Sequence, residues 1–237
     1  MAIRTNGSNG DYQRTTNLPS SIKFSFCFWI YQIAATDVMV PWIFFDNGTG
    51  SYYILYNSGG VLTLDQSATT VSLATMAQNT WYFVAVTCSA AAANALIGYQ
   101  RGLNDSWFTT GTLTGVSFTG SLLMDIGSNQ GTGNFWDGRL AAFKLWDVVL
   151  SPTELMKESL SIYPARRKDL RMFTPLFNPG DDEKDYFQGF DWTVSGTITE
   201  EAGPDGIPLY PVFIRRGASV TAGVDSVDIG YMLNYHR

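Results

Sequence analysis

The chain has 237 residues, of which 45% are hydrophobic and 15% are charged, and its formal net charge is -6 at pH 7. This apolar content excludes a disordered chain, and a net-acidic chain lacks the basic surface that phosphate-backbone binding needs. The composition therefore predicts a folded protein that does not bind nucleic acid.

Short apolar runs separated by Gly, Asn, Asp, Ser and Thr follow one another along most of the chain. Such runs between turn residues indicate β-strands. We expect strands over 22–33, 38–45, 51–56, 61–65, 81–88, 95–100, 113–118, 121–126 and 139–149. Turn pairs such as Asn47-Gly48 favour hairpins between them. Many short strands at this spacing predict an all-β fold, an antiparallel sandwich or barrel.

Two of the predicted strands, 24–31 and 81–88, are apolar on both faces. In the first, one face carries Phe24, Phe26, Phe28 and Ile30, and the other carries Cys27, Trp29 and Tyr31. Because a sheet with one solvated face alternates, the second face must be covered by the C-terminal extension, another sheet or a neighbouring subunit. In 139–147, Lys144 and Asp147 oppose Phe143 and Leu145, which predicts ordinary half-burial.

One short helix begins after Ser151. Ser at the N-cap, Pro152 at the first helical position and Glu154 two residues later predict a capping box. The helix is expected to end before Pro164. Residues 90–93 have helix propensity, but they lie between two predicted strands and are expected to form a loop.

Residues 164–211 change character, with many prolines and the charged stretch 181–185. Within them, 170–177 and 190–200 are predicted to supply edge strands, where Pro is tolerated. We predict one domain over 1–204 and an extended C-terminal arm over 205–237. The arm is expected to contact a partner through four apolar side chains, Phe213, Ile214, Tyr231 and Leu233.

The cysteines and the amino terminus bear on where the chain folds. Cys27 and Cys88 lie in apolar runs, where a free Cys behaves as a small hydrophobic side chain, although the sequence leaves a single bridge between them open. Two cysteines do not form a disulfide framework or a zinc site. The amino terminus has no apolar signal-peptide core, and no run approaches the length of a membrane span. We therefore expect no signal peptide and no membrane partner.

Histidine-based chemistry is excluded by position. The only histidine, His236, is next to the last residue, where chain ends usually fray. A Ser-His-Asp triad needs an oriented base, and a catalytic zinc needs several His or Cys ligands. A basic cluster is formed by Arg166, Arg167, Lys168 and Arg171. We expect it to be a solvated face or to pair with carboxylates.

Three segments go beyond a generic β pattern. The first combines Gly10-Asp11-Tyr12 with FSFCFWI at 24–30, and the second leads from WYFVAVT at 81–87 to LIGYQRG at 96–102. The third joins MDIGS at 124–128, DGRLAAFKLW at 137–146 and LSPTEL at 150–155. In this order they resemble the laminin-G-like, concanavalin A-like jelly-roll superfamily over residues 3–160. The overall layout also resembles, more loosely, stand-alone jelly-roll structural proteins of tailed phages.

The resemblance implies a two-sheet antiparallel jelly-roll sandwich that is either a binding module or a glycoside hydrolase. Ala141 and Ala142 stand where many family members have an acidic pair, so no role is carried over to them. The laminarinase-type motif Glu-x-Asp-x-x-Glu is matched only in part by 183–188, because Gln188 replaces the final Glu. We therefore expect no catalytic residue and no enzyme activity.

Sugar binding would use exposed aromatic rings, and calcium in this family takes oxygen ligands from rim loops. The candidate stacking residues are Trp42, Trp107 and Trp136, although each is also explained as the cap of a sheet end. The candidate calcium ligands are Asp46, Asn47, Asp105 and Asp137, each also explained as a turn residue. No other cofactor is expected.

The leading functional hypothesis is a non-catalytic structural protein of a virus particle, assembled in the host cytoplasm. It would decorate a phage capsid or form part of a tail through contacts with other virion proteins or with copies of itself. The absence of a catalytic set and the long arm motivate it. The alternative is a lectin-like carbohydrate-binding module that recognises a receptor, and the third hypothesis is a glycoside hydrolase.

Overall fold

A computed structural model describes residues 1–7, 12–18, 23–34, 38–46, 48–67, 69–116, 118, 122–130, 133–176, 185–187 and 192–207, with the side chains of all these ranges except 12–18. The described residues form fifteen strands and one helix. In chain order these are β1 (Ala2–Asn6), β2 (Tyr12–Leu18), β3 (Phe24–Gln32), β4 (Met39–Asp46), β5 (Tyr52–Ser58), β6 (Val61–Gln66), β7 (Thr69–Thr75), β8 (Trp81–Cys88), β9 (Leu96–Gly102), β10 (Thr109–Leu113), β11 (Leu122–Ile126), β12 (Asp137–Trp146), α1 (Pro152–Glu158), β13 (Leu170–Thr174), β14 (Thr193–Ser195) and β15 (Thr199–Glu201).

The strands form two antiparallel sheets. Sheet A has the order β10-β9-β8-β3-β12-β1-β15, and β13 pairs with the second half of β12. Sheet B has the order β14-β2-β11-β4-β5-β6-β7. The structure confirms the predicted two-sheet antiparallel jelly-roll sandwich. Among the described residues, no helix has the length and apolar character needed to cross a membrane.

The main core lies between the two sheets. Alternate residues of a strand point to opposite faces, so Phe26 and Phe28 of β3 face Trp42 of β4 across the interior. Phe143 of β12 joins them, with its ring centroid 5.9 Å from that of Phe26. The inward face predicted for 24–31 is therefore confirmed.

The outer face of sheet A is apolar as well, and the chain covers it with its own helix. Cys27 and Trp29 of β3 lie on this face, and Phe83 of β8 makes an edge-to-face contact with Trp29 at a ring-centroid distance of 5.4 Å. The cover consists of α1 and its flanking segments, with Leu155 and Ile162 buried against the sheet. The sequence predicted the C-terminal extension, another sheet or a neighbouring subunit as the cover and did not indicate this helix. Of the predicted arm, only residues 205–207 are described, and Ile207 is partly buried against the same cluster.

Lys144 is buried, which corrects the predicted half-burial of β12. Its ammonium group donates hydrogen bonds to Glu158 Oε2 at 2.9 Å, Glu158 O at 3.1 Å and Ser161 O at 2.7 Å. The Glu158 carboxylate also accepts the backbone N–H groups of Ala165 and Arg166. The pair thus ties the end of α1 and the following loop to sheet A, and nothing local to β12 indicates a helix above it.

The strand predictions are correct where the apolar runs are continuous. Residues 113–118 are the exception, because the strand is β10, which ends at Leu113. Strands β1, β2 and β7 had no apolar run and were missed, whereas 170–177 contains β13 and 190–200 contains β14 and the start of β15. The loop over 90–93 is confirmed.

The helix start and the cysteines agree with local reasoning. Ser151 is the N-cap of α1, and its side chain and that of Glu154 form the predicted capping box. Cys27 and Cys88 are both free and buried. They lie on opposite faces of sheet A, one under α1 and the other in the main core, which excludes a bridge between them.

Candidate functional site

The outer face of sheet B carries an open groove of about 430 Å³ over β4, β5 and β6. Of the described residues, those that line it are Val38, Val40, Ile43, Tyr52, Ile54, Tyr56, Ser58, Asp65, Asn129, Gln130 and Asn134. The outer face of sheet A is covered by α1, whereas this face has a depression that a ligand can enter. Apolar grooves with a few convergent polar groups are the usual form of ligand sites.

The floor of the groove is apolar and set by strand register. Ile43 pairs with Ile54, and Ile54 pairs with Asp65, so these three residues lie in one row across β4, β5 and β6. Val40, Ile43 and Ile54 are buried and form a small outer cluster with Phe45. Asp65 therefore stands at the edge of an apolar floor rather than within a polar surface.

Two tyrosines flank this floor. Tyr52, Ile54 and Tyr56 alternate along β5 and share its outer face, because successive strand side chains point in opposite directions. Both rings are half-buried and pack against the outer cluster. Burial, followed by the negative charge of Asp65, raises the pKa of Tyr52. The phenol therefore stays protonated at neutral pH and can donate a hydrogen bond.

Asp65 is the carboxylate of the groove. It is half-buried, and desolvation raises its pKa, while the backbone N–H of Gln66 lowers it. No Lys or Arg among the described lining residues stands beside it. The group therefore offers acceptor oxygens to an incoming ligand.

The connection from β11 to β12 forms one wall. Its backbone is held by a hydrogen bond of 2.9 Å from Asn129 N to Gly133 O and one of 2.8 Å from Val40 N to Asn134 O. Gln130 and Asn134 have positive φ values of 53° and 51°. Asn tolerates this left-handed conformation better than most residues. The wall presents amide side chains, which can both donate and accept hydrogen bonds.

Of the three candidate tryptophans, only Trp107 is on the surface, with 81% of its side chain exposed. The predicted exposure of Trp42 and Trp136 is wrong, because both rings are buried in the main core, out of reach of a surface ligand. Trp107 lies between β9 and β10, at the far end of sheet A from β15. The structure therefore does not bring the three tryptophans together in one site.

The candidate calcium ligands are also separate. Asp46 is buried and accepts the backbone N–H groups of Gly48 and Thr49 at 2.8 and 3.2 Å. Asp105 accepts that of Gly102 at 2.6 Å, and Asp137 pairs with Arg4 at 2.7 Å. Within the described ranges, no group of three or more His, Cys, Asp or Glu residues is placed to hold a metal. Asn47 lies outside the described residues.

The remaining predicted positions do not join the groove. Ala141 and Ala142 are buried beneath α1. In the segment 183–188, Asp185 accepts the backbone N–H groups of Phe173 and Phe187 at 2.9 and 3.0 Å, which is a structural role. Gln188 lies outside the described residues. The four arm positions also lie outside them, namely Phe213, Ile214, Tyr231 and Leu233.

The basic cluster divides between the two expected roles, because two of its members pair with carboxylates and the other two, Arg167 and Lys168, are exposed. Arg166 contacts Glu154 and Asp169, and Arg171 lies 3.5 Å from Asp147. Sequence reasoning therefore placed the charges correctly but missed the groove, because it looked for tryptophans in loops. The missed signal is the alternation of Tyr52, Ile54 and Tyr56 within one predicted strand.

The fold defines the class of protein, a jelly-roll sandwich of the laminin-G-like type with a groove on one outer face. Residues 6–156 match a laminin-G family model described as the concanavalin A-like lectin/glucanases superfamily, and the chain belongs to that family. The predicted resemblance is thereby confirmed. A search of curated proteins finds no match.

Solved structures with the same fold include proteins from three bacterial and animal sources, described below. A Bacteroides ovatus protein provisionally described as carbohydrate-binding has a TM-score of 0.62 at 17% identity, over 87% of this chain and 62% of that one. The heptameric pentraxin of Limulus polyphemus has a TM-score of 0.59 at 14% identity, over 88% and 97%. The sialidase module CBM40 of Ruminococcus gnavus, bound to α2,3-sialyllactose, has a TM-score of 0.51 at 14% identity, over 67% and 96%. The chain thus spans less than two thirds of the Bacteroides protein.

Proposed function

We propose that this protein is a carbohydrate-binding module that holds a glycan in the groove on the outer face of sheet B. The observation that carries the proposal is the combination of two half-buried tyrosine rings, Tyr52 and Tyr56, with the carboxylate of Asp65 over an apolar floor. This is the lectin-like alternative from the sequence. The virion hypothesis gains no support from the similar proteins described above.

Each part of the groove suits one part of a sugar. The rings and the floor offer apolar contact to the C–H face of a pyranose, which removes apolar surface from water. Asp65 can accept hydrogen bonds from hydroxyl groups, and the amides of Asn129, Gln130 and Asn134 can donate and accept them. Because the rings and Asp65 stand on strands, little conformational entropy is lost on binding.

Binding without hydrolysis is the form of the proposal that the groove supports. Hydrolysis of a glycosidic bond ordinarily needs two carboxyl groups on either side of it. Among the described lining residues, Asp65 is the only one with a carboxyl group. Two of the similar structures are described as carbohydrate-binding or as sugar-bound modules, which also favours binding over catalysis.

A glycan array with the full chain tests the proposal. We expect wild-type binding to a defined set of glycans and a loss of at least about tenfold in Tyr56→Ala, since the ring's apolar contact area and its stacking together contribute about 1.4 kcal/mol or more. The matched control is Trp107→Ala, which removes the exposed aromatic side chain away from the groove and should leave binding unchanged. Silence of the wild-type chain across a broad array would rule the proposal out.

The same array answers the calcium question. The described groove residues contain one carboxyl group, whereas calcium takes six to eight oxygen ligands in proteins. We therefore expect binding to persist in the presence of EDTA. Loss of binding with EDTA and its return with added calcium would place a metal in the site and contradict this expectation.

A further inference from the structure

Basic residues are nearly absent from the part of the chain that builds most of sheet B. Between Lys23 and Arg139 the sequence contains a single Lys or Arg, which is Arg101. This interval includes β4, β5, β6, β7 and β11. Arg101 belongs to β9 of sheet A, where its guanidinium donates hydrogen bonds to Ser159 Oγ and Leu103 O. None of these five strands of sheet B therefore brings a cation of its own to the groove.

Other cations of the described residues are engaged on sheet A and its cover. The ion pairs there are Arg4 with Asp137, Arg139 with Glu201, Lys144 with Glu158, Arg166 with Glu154 and Asp169, and Arg171 with Asp147. These basic side chains stand on β1, β12, β13 and the segment after α1. The two outer faces of the sandwich thus differ in charge as well as in cover.

Within the groove, formal charge is confined to one side chain among the described lining residues. Asp65 is the carboxylate, and the polar groups opposite it are the neutral amides of Asn129, Gln130 and Asn134. Tyr52 and Tyr56 carry phenol groups, which bring no positive charge. An anion that entered this groove would lose water without gaining an ionic partner from the described lining residues, and it would meet a like charge in a partly desolvated site.

We infer that the groove selects uncharged sugars and rejects anionic glycans, with Asp65 as the residue that determines this specificity. The inference rests on the proposed carbohydrate-binding function. The excluded class comprises sialic acids, uronic acids and sulfated sugars. Hydroxyl groups of a neutral sugar satisfy the carboxylate as donors, whereas a carboxylate or sulfate on the ligand cannot donate to it and is repelled by it.

A cationic amino sugar is the other ligand that a carboxylate between two tyrosines could attract. The surrounding amides favour the neutral ligand, because an ammonium group cannot accept the hydrogen bonds that Asn and Gln side chains offer. The backbone N–H of Gln66 already donates a hydrogen bond to the Asp65 carboxylate and stabilises its negative charge. The carboxylate therefore depends less on a cationic ligand. The test must therefore distinguish binding of a cationic amino sugar from binding of a neutral sugar.

The test compares matched glycans on the full-length wild-type chain and on Asp65→Asn. Each neutral N-acetylated oligosaccharide, for instance N-acetyllactosamine, is measured beside its sialylated, sulfated and de-N-acetylated amine-bearing forms. Wild-type protein should bind each acidic form at least about tenfold more weakly than its neutral parent at low salt. Asp65→Asn keeps an acceptor oxygen but removes the charge. In this variant the ratio of the affinity for the neutral parent to the affinity for its acidic form should fall to about threefold or less. High salt should also narrow the wild-type ratio, since salt screens exposed charges.

Three results would overturn the inference, and they are distinguishable from failure of the proposed function. Equal or tighter binding of acidic forms, with binding still lost in Tyr56→Ala, would leave the proposed function standing and reject the selectivity. An unchanged ratio in Asp65→Asn would remove Asp65 as its cause. A preference of more than tenfold for the amine-bearing forms would replace the neutral ligand by a cationic one. Absence of binding to every form would reject the proposed function and this inference together.

Discussion

The outer faces of sheets A and B begin from the same chemistry and end differently. Each presents apolar side chains on strands whose opposite face is already buried in the main core. On sheet A, the chain returns after β12 and lays α1 over the strands, whereas on sheet B the outer apolar cluster is the floor of an open groove. An apolar outer face therefore identifies a surface to be covered, but not whether the chain itself or a ligand covers it.

The polar groups of the two outer faces also differ in exposure, since those of sheet A are enclosed and those of sheet B reach solvent. Under α1, Lys144 and Glu158 are 1% and 0% exposed, and they satisfy each other and nearby backbone groups. At the groove, Tyr52, Tyr56 and Asp65 remain half-buried and reach solvent. The closed face thus contributes to stability, and the open face is suited to binding. The variants below separate these two contributions.

The largest expected effect comes from breaking the buried ion pair between Lys144 and Glu158 beneath α1. Lys144→Met leaves the buried Glu158 carboxylate without its cationic partner, and breaking a buried pair in this way costs about 3–5 kcal/mol. Urea denaturation of the two proteins measures the change in the free energy of unfolding. The control is Arg171→Ala, which breaks a partly exposed pair with Asp147 and should cost less than about 1 kcal/mol. A cost below about 1 kcal/mol for Lys144→Met would show that water reaches the pair.

A smaller effect is expected at the start of the covering helix. The Ser151 side chain accepts a hydrogen bond from the backbone N–H of Glu154, and removing an N-cap acceptor costs about 1 kcal/mol. Ser151→Ala should lower the free energy of unfolding by this amount, measured by urea denaturation, while Ser151→Thr should retain most of it. Glycan binding should not change in either variant, because the cap lies on the closed side. A loss of glycan binding together with the loss of stability would show that the cap on the sheet A side affects the groove on sheet B.

The smallest expected effect concerns the open face and depends on pH. Burial raises the pKa of Asp65 above its unfolded value of about 3.9, so the folded state binds the proton more tightly. This contribution favours folding at low pH and is lost as pH rises through the folded pKa. Asp65→Asn should therefore gain stability relative to wild type between pH 3 and pH 7, by less than about 1 kcal/mol because the group is partly solvated.

Thermal unfolding of both proteins across this range provides the measurement. The difference in Tm between Asp65→Asn and wild type should be more positive at pH 7 than at pH 3. A difference that falls with rising pH would mean that Asp65 has a stabilising cationic partner, which would also count against the selectivity inferred above.

The parts of the fold that follow from local patterns were predictable. The run 22–33 predicted β3 because nearly every residue in it is apolar, and Ser151-Pro152 predicted the start of α1 because capping is local chemistry. Strand β10 was misplaced because its sequence TTGTL is polar and largely exposed, while the apolar residues that follow it, Val116 and Phe118, pack against the core without forming a strand. Strand β10 forms through its pairing with β9, although its own sequence contains few apolar residues.

The candidate site was predictable only in part. Alternation in 51–56 places Tyr52 and Tyr56 on one face. The sequence does not say which strands lie beside them, so the meeting of Tyr52, Ile43 and Asp65 could not be foreseen. For the same reason Trp42 and Trp136 were taken as surface candidates, although the sandwich encloses both. Exposure is a property of the assembled sheets rather than of a residue's neighbours in sequence.

The sequence by itself determined the all-β class, the capped helix and the scarcity of cations between Lys23 and Arg139. Each of these depends on residue type and short-range spacing. Only the tertiary structure decided that Lys144 is buried, that α1 covers sheet A and that β4, β5 and β6 bring two tyrosines and one carboxylate around an apolar floor. The physical reason is that burial and cross-strand neighbours depend on strand order and register, which join residues far apart in the chain.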